Sequence, residues 1–100
     1  MTISIKIHNS YRAVVAVCDK NILGKKFEQG KRQLDLRESF YKDKIVEEEE
    51  AINIIRYQAN EDATFNIVGK KSIQAAIQAG IINKENVDKI KNIPFTLTFL

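Results

Sequence analysis

Cys18 and His8 are the thiol and the imidazole from which this chain could assemble a nucleophile and its base. Gly69-Lys70-Lys71-Ser72 sets a glycine, two ammonium groups and a hydroxyl where a helix start could receive an anion. Glu47-Glu48-Glu49-Glu50 is a run of carboxylates of the type that holds hard cations. Lys25-Lys26, Lys31-Arg32 and Lys70-Lys71 are basic pairs suited to nucleic-acid phosphates.

Most of these options fail on spacing. If residues 2–8 and 12–18 form a hairpin with His8 opposite Arg12, Cys18 falls opposite Thr2. The thiol is then roughly 20 Å from the imidazole at ~3.3 Å per residue. A zinc site needs three or four Cys and His ligands, and the chain has one of each. The glutamates, on a helix, fan around it instead of converging on a cation. No catalytic residue, metal ligand or cofactor is expected from these groups. A nucleotide-hydrolysing phosphate loop would need Gly at Thr64 and Ser or Thr at Lys71, so that pattern is also excluded. The anion reading of the helix start survives only in generic form, beside the ordinary one in which Ser72 serves near the cap. Asp19, Gly24, Asn66, Gly69 and Ser72 could converge at strand ends as a small-molecule pocket. No exposed aromatic platform or single-strand-binding motif accompanies the basic pairs.

The elements that must position these groups follow from periodicity. Residues 2–8 alternate Ile3, Ile5 and Ile7 with Ser4, Lys6 and His8, the pattern of a strand with one buried face. Residues 12–18 are apolar and rich in β-branched side chains, and residues 9–11 suit a short hairpin loop. With His8 opposite Arg12, Ile7 meets Ala13, Ile5 meets Val15 and Ile3 meets Val17. The second strand, apolar on both faces, is central. Residues 21–30 read as a structured loop, 31–36 as a third strand and 39–41 as a loop or one turn. Residues 46–60 carry Ile52, Ile55 and Ala59 on one stripe and form an amphipathic helix. Its opening glutamates complement the positive end of the helix dipole without any ligand. A strand over 65–68 enters a second helix over 72–79, closed by Gly80. Residues 87–93 form a last strand before Pro94, and 95–100 could add an edge strand. The elements predict an α+β fold, a two-layer sandwich with a mixed, mostly antiparallel sheet, an N-terminal β-hairpin and two main helices.

Composition sets the limits around this. One hundred residues, 44% hydrophobic and 29% charged, suit one domain over 1–100 with its own core. The longest apolar run, residues 13–18, is far short of a membrane span, and the N-terminus lacks a signal peptide's order. A lone cysteine cannot form an internal disulfide and fits a reducing, cytoplasmic compartment. The net charge of +3 conceals stretches of +5 over 1–44, −5 over 45–62 and +3 over 63–100.

Val15-Ala16-Val17-Cys18-Asp19, Ile22-Leu23-Gly24-Lys25, Phe27, Asn66-Ile67-Val68-Gly69, Ser72-Ile73 and Ala79-Gly80-Ile81-Ile82 occur in an order that resembles domain-of-unknown-function family 424. The resemblance runs from the second strand to about Pro94. It implies a small cytosolic archaeal protein of two-layer α+β fold, with genes near those of translation. Many members carry histidine after the proline, where this chain has Phe95, so no role for such a histidine transfers here.

The leading expectation is a translation-associated protein without catalytic activity. Its Lys25, Lys26, Lys31, Arg32, Lys70 and Lys71 would contact phosphates of rRNA, a ribosomal subunit or tRNA, with no DNA specificity. A small enzyme or ligand-binding domain using the Asp19, Gly24, Asn66, Gly69, Ser72 region is the alternative. A third reading is a protein-interaction module docking through the acidic helix face or the strand at 95–100.

Overall fold

The structure, a computed structural model, describes residues 1–98. The alternating isoleucines form β1 (Ile3–His8), which pairs antiparallel with β2 (Val14–Asp19). A 3-10 turn at Lys20–Ile22 leads into a separate small hairpin, β3 (Lys26–Gln29) and β4 (Arg32–Asp35). One helical turn, α1 (Glu38–Tyr41), and a short strand, β5 (Lys44–Val46), then deliver the chain to helix α2 (Glu48–Asn60). Strand β6 (Thr64–Val68), helix α3 (Lys70–Gln78) and the hairpin of β7 (Asp88–Ile90) and β8 (Ile93–Thr98) complete the order. The main sheet has six strands in the order β5-β1-β2-β6-β8-β7, and its one parallel pair among the described residues is β2 with β6.

The pleat sorts the side chains. Ile3, Ile5, Val15, Val17, Phe65 and Ile67 face one side and are buried under Ala51 and Ile55 of α2 and Ile73, Ala75 and Ala76 of α3. These two layers match the expected α+β architecture. On the opposite face Ala16, Cys18, Val68 and Ile90 are covered by Leu34, Leu36 and Tyr41 from the small hairpin and α1. β2, buried on both faces over residues 15–19, is the central strand that the sequence of residues 13–18 implies, and β6 beside it buries Phe65, Ile67 and Val68.

Several local expectations change. The β1–β2 register is Ile3↔Asp19, Ile5↔Val17 and Ile7↔Val15, two residues from the predicted one. The Ala13 carbonyl accepts a hydrogen bond from the Thr64 amide (2.9 Å), so residues 12–13 turn toward β6 and lengthen the loop. A two-residue slip preserves the face of every side chain, which is why the predicted core survives it. Residues 26–29, expected in a loop, form a strand because Phe27 packs opposite Leu34 across the turn at Gly30 (φ +63°). Val46, expected in the helix, pairs with Ile3, so α2 starts at Glu48.

The segment expected as one last strand before Pro94 is instead a two-residue hairpin. Lys91 and Asn92 both adopt positive φ (52° and 65°), as a type I′ turn requires. Pro94 lies inside β8, opposite Lys89. β8 is not an edge strand: it is paired on both sides, by β6 and β7, so its backbone is not free to add to a partner's sheet. The last two residues of the expected 95–100 strand lie outside the described residues.

Candidate functional site

Strand directions collect chemistry-bearing residues at one end of the sheet. β2 and β6 run parallel, so Asp19-Lys20 and Gly69-Lys70-Lys71 leave them side by side. β8 runs back against β6 with Phe95 opposite Val68, and β7 pairs with β8 through Ile90 and Ile93, so the Lys91-Asn92 turn joins the same edge. From β2 to β7 this edge crosses three inter-strand steps, about 14 Å at ~4.8 Å each.

At its centre the Asp19 carboxylate reaches over the start of α3. The Ser72 amide and hydroxyl donate to Oδ1 (2.8 and 2.7 Å), and the Lys71 amide donates to Oδ2 (3.1 Å). These are N–H groups that a helix start leaves without intrahelical partners. Asp19 and Ser72 are buried, at 7% and 0% exposure. Gly69 holds φ +110°, and a Cβ there would lie 2.3 Å from Asp19 Cγ. The anion site read from Gly69-Lys70-Lys71-Ser72 is therefore filled by the chain's own carboxylate.

Of the five residues expected around a pocket, Asp19, Gly69 and Ser72 meet in this closed contact. Gly24 does not join them; it lies at the root of the small hairpin, near Glu38, and its amide donates to the Leu36 carbonyl (2.7 Å). Asn66 sits mid-strand between Ala16 and Leu97. The hollow beside Asp19, about 320 Å³, is lined by Met1, Thr2, Lys20, Asn21 and Lys71 instead. A larger groove of about 410 Å³ lies between β1 and α2, lined in part by Ile7, Ile54 and Tyr57.

The basic pairs are placed by three ties. The Gly69 amide donates to the Pro94 carbonyl (2.8 Å), fixing Lys70 and Lys71 against β8. The Lys91 amide donates to Gln29 Oε1 (2.8 Å), and Arg32 pairs with Asp88 (2.5 Å), so the hairpin tip is held on β7. Lys31 at that tip thus joins Lys91. Arg32 is already engaged: besides Asp88, its guanidinium lies 5.6 Å from the Phe95 ring centre. Lys25 and Lys26 sit at the hairpin root, and Lys26 is opposite Asp35. Lys20, Lys89 and Lys91 also belong to this edge, and the sequence gives no signal for them because each stands alone and not in a basic pair. Lys20, Lys31, Lys70, Lys71 and Lys91 are exposed, and none forms an ion pair among the described residues.

The other groups stay apart. Cys18 is fully buried opposite Ser4, and burial first, then the neighbouring Asp19 charge, pushes its thiol up to about 12. A protonated, water-excluded thiol is no nucleophile. His8 lies four strand residues away, roughly 13 Å, closer than the predicted register gave but still out of reach. Its Nε2 is 2.8 Å from the Phe40 carbonyl oxygen and its ring stacks on Phe40. Glu48, Glu49 and Glu50 occupy the first turn of α2, as the dipole argument expects, and Glu50 pairs with Lys44 (2.9 Å).

The fold is shared with a crystal structure of an uncharacterized conserved protein from Methanopyrus kandleri. The two are 23% identical, with a TM-score of 0.90 over 99% of this chain and 91% of that one. No curated protein matches. Residues 7–100 match the family described as protein of unknown function (DUF424), and the chain belongs to that family.

Proposed function

We propose that the protein is a cytoplasmic, non-catalytic RNA-binding protein that grips phosphates along the lysine-bearing strand-end edge, with a ribosomal subunit as its partner. One observation carries this reading. Lys20, Lys70, Lys71, Lys91 and Lys31, scattered over 72 positions of sequence, are brought to one edge by the parallel β2–β6 pair and the hairpin ties, and none of them forms a side-chain ion pair among the described residues. Such a cluster attracts a polyanion and releases its counterions. The acidic opening of α2 bounds the edge on its other flank, where the Lys71 charge is felt by Glu47.

Sedimentation of a native lysate at low and high salt tests the reading. The protein is expected to co-migrate with a ribosomal subunit at low salt and to leave it at high salt. Migration as a free small protein at every salt would remove it. Lys70→Glu with Lys71→Glu is expected to weaken binding at least tenfold. The double change should also lower the slope of log affinity against log salt by about 2, each lost phosphate contact contributing ~0.9 on a duplex.

A further inference from the structure

We infer that the RNA held by this edge is base-paired and is gripped as a helical phosphate backbone, not as a single strand held by stacking its bases. The inference rests on the phosphate-binding reading above and adds the form of the nucleic acid.

Sequence-tolerant binding of single strands needs a groove of cations interleaved with open aromatic faces, on which successive bases stack. The aromatic side chains among the described residues are in the wrong places for that. Among the described residues the fully open rings are Tyr11, at 108% exposure, and Tyr57, at 63%. Tyr11 lies in the loop between β1 and β2, at the opposite end of β2 from Lys20 and so roughly 20 Å from the basic edge. Tyr57 is nine residues beyond the start of α2, whose first turn follows the strand end at Val46, so it too sits ~13 Å down the molecule from the edge. It lines the β1–α2 groove on the helix side.

The rings nearer the edge are occupied. Arg32 lies over the Phe95 ring. Phe27 packs opposite Leu34 within the hairpin, and Phe65 and Tyr41 are buried. Phe40 is stacked against His8 and meets Tyr41 edge-on. What the edge offers is a row of ammonium groups on a rigid frame about 14 Å long, built from strand ends, a helix start and a tethered hairpin tip. Double-stranded RNA is recognised through that kind of contact, by shape and by phosphates, with no access to base faces.

Binding of the full-length protein to a blunt 16-base-pair RNA duplex and to single-stranded oligouridine of 16 residues, at the same moderate salt, separates the cases. The duplex is expected to bind at least ten times more tightly. Tyr11→Ala and Tyr57→Ala, both at exposed positions, should leave duplex affinity within a factor of two. Lys20→Glu and Lys91→Glu, at the two ends of the row, should each weaken it severalfold, because a helical backbone touches both ends. Equal or tighter binding of the single strand, or a tenfold loss on removing either tyrosine, would overturn the inference while leaving the phosphate-binding reading in place. Failure of both RNAs to bind at low salt would overturn the two together.

Discussion

Replacing Asp19 with alanine is expected to lower stability by about 3 kcal/mol and the melting temperature by roughly 10–20 °C for a chain of this size. The carboxylate accepts three hydrogen bonds at the start of α3, from the amides of Lys71 and Ser72 and the Ser72 hydroxyl, in a buried setting. Truncation leaves the Ser72 amide and hydroxyl without a partner and without water, and that desolvation outweighs the ~1 kcal/mol of an exposed cap. Gly69→Ala attacks the same contact from the other side. The new Cβ would stand 2.3 Å from Asp19 Cγ, at a backbone φ of +110° that L residues resist, so a loss of about 2–3 kcal/mol is expected. The two substitutions should not add. With Asp19 already alanine the clash is gone, and Gly69→Ala then costs only its backbone strain, about 1 kcal/mol. Urea unfolding of the two single variants and the double variant measures the coupling. An Asp19→Ala change within 0.5 kcal/mol of wild type, or strict additivity, would mean that the contact does not hold α3 on the sheet.

This contact also marks the limit of what the sequence discloses. By residue type alone Gly69-Lys70-Lys71-Ser72 suggests a site for an external anion, and Asp19 reads only as one of five residues around a possible pocket. That the anion is the chain's own follows only from the parallel pairing of β2 with β6, which joins positions fifty residues apart through a helical crossover. Short-range signals behaved differently. Ile3, Ile5 and Ile7 announce a strand because period two buries one face, and the glutamate run announces a helix start because the dipole favours it. The Lys91-Asn92 turn was hidden because positive φ usually calls for Asn-Gly or Asp-Gly, and here tertiary pairing imposes it on a lysine. β5 was hidden because three residues carry no period, and Val46 reads equally well as the first apolar position of α2. The basic edge was half legible. Paired lysines are visible in the sequence, while Lys20 and Lys91 acquire their meaning only from the strand order.

Stability should hold to pH about 9 and then fall steeply toward pH 12, through two buried acids on the hairpin side of the sheet. The Cys18 thiol is pushed from 9.0 to about 12, mainly by burial and then by the Asp19 charge. The Tyr41 phenol is pushed from 10.0 to about 12, mainly by burial, then by Cys18 and Asp35. Both native values lie above the unfolded ones, so the native state holds these protons more tightly. Their contribution is complete below the unfolded values and is lost as pH rises through the native ones, because the unfolded chain ionises first. Each group imposes a slope of at most ~1.4 kcal/mol per pH unit, and together they amount to several kcal/mol, a large share of the stability of a small domain. Cys18→Ala removes a buried side chain and should cost stability at every pH, but it should also move the onset of the decline from about 9 to about 10, leaving Tyr41 alone to set it. Urea midpoints measured from pH 7 to 11 for wild type and Cys18→Ala report the onset independently of the packing loss. If the two curves bend at the same pH, the thiol does not contribute. If they bend a unit apart, the space enclosed by β2, β4 and α1 is dry enough to keep both groups neutral, as expected of a face that the small hairpin covers.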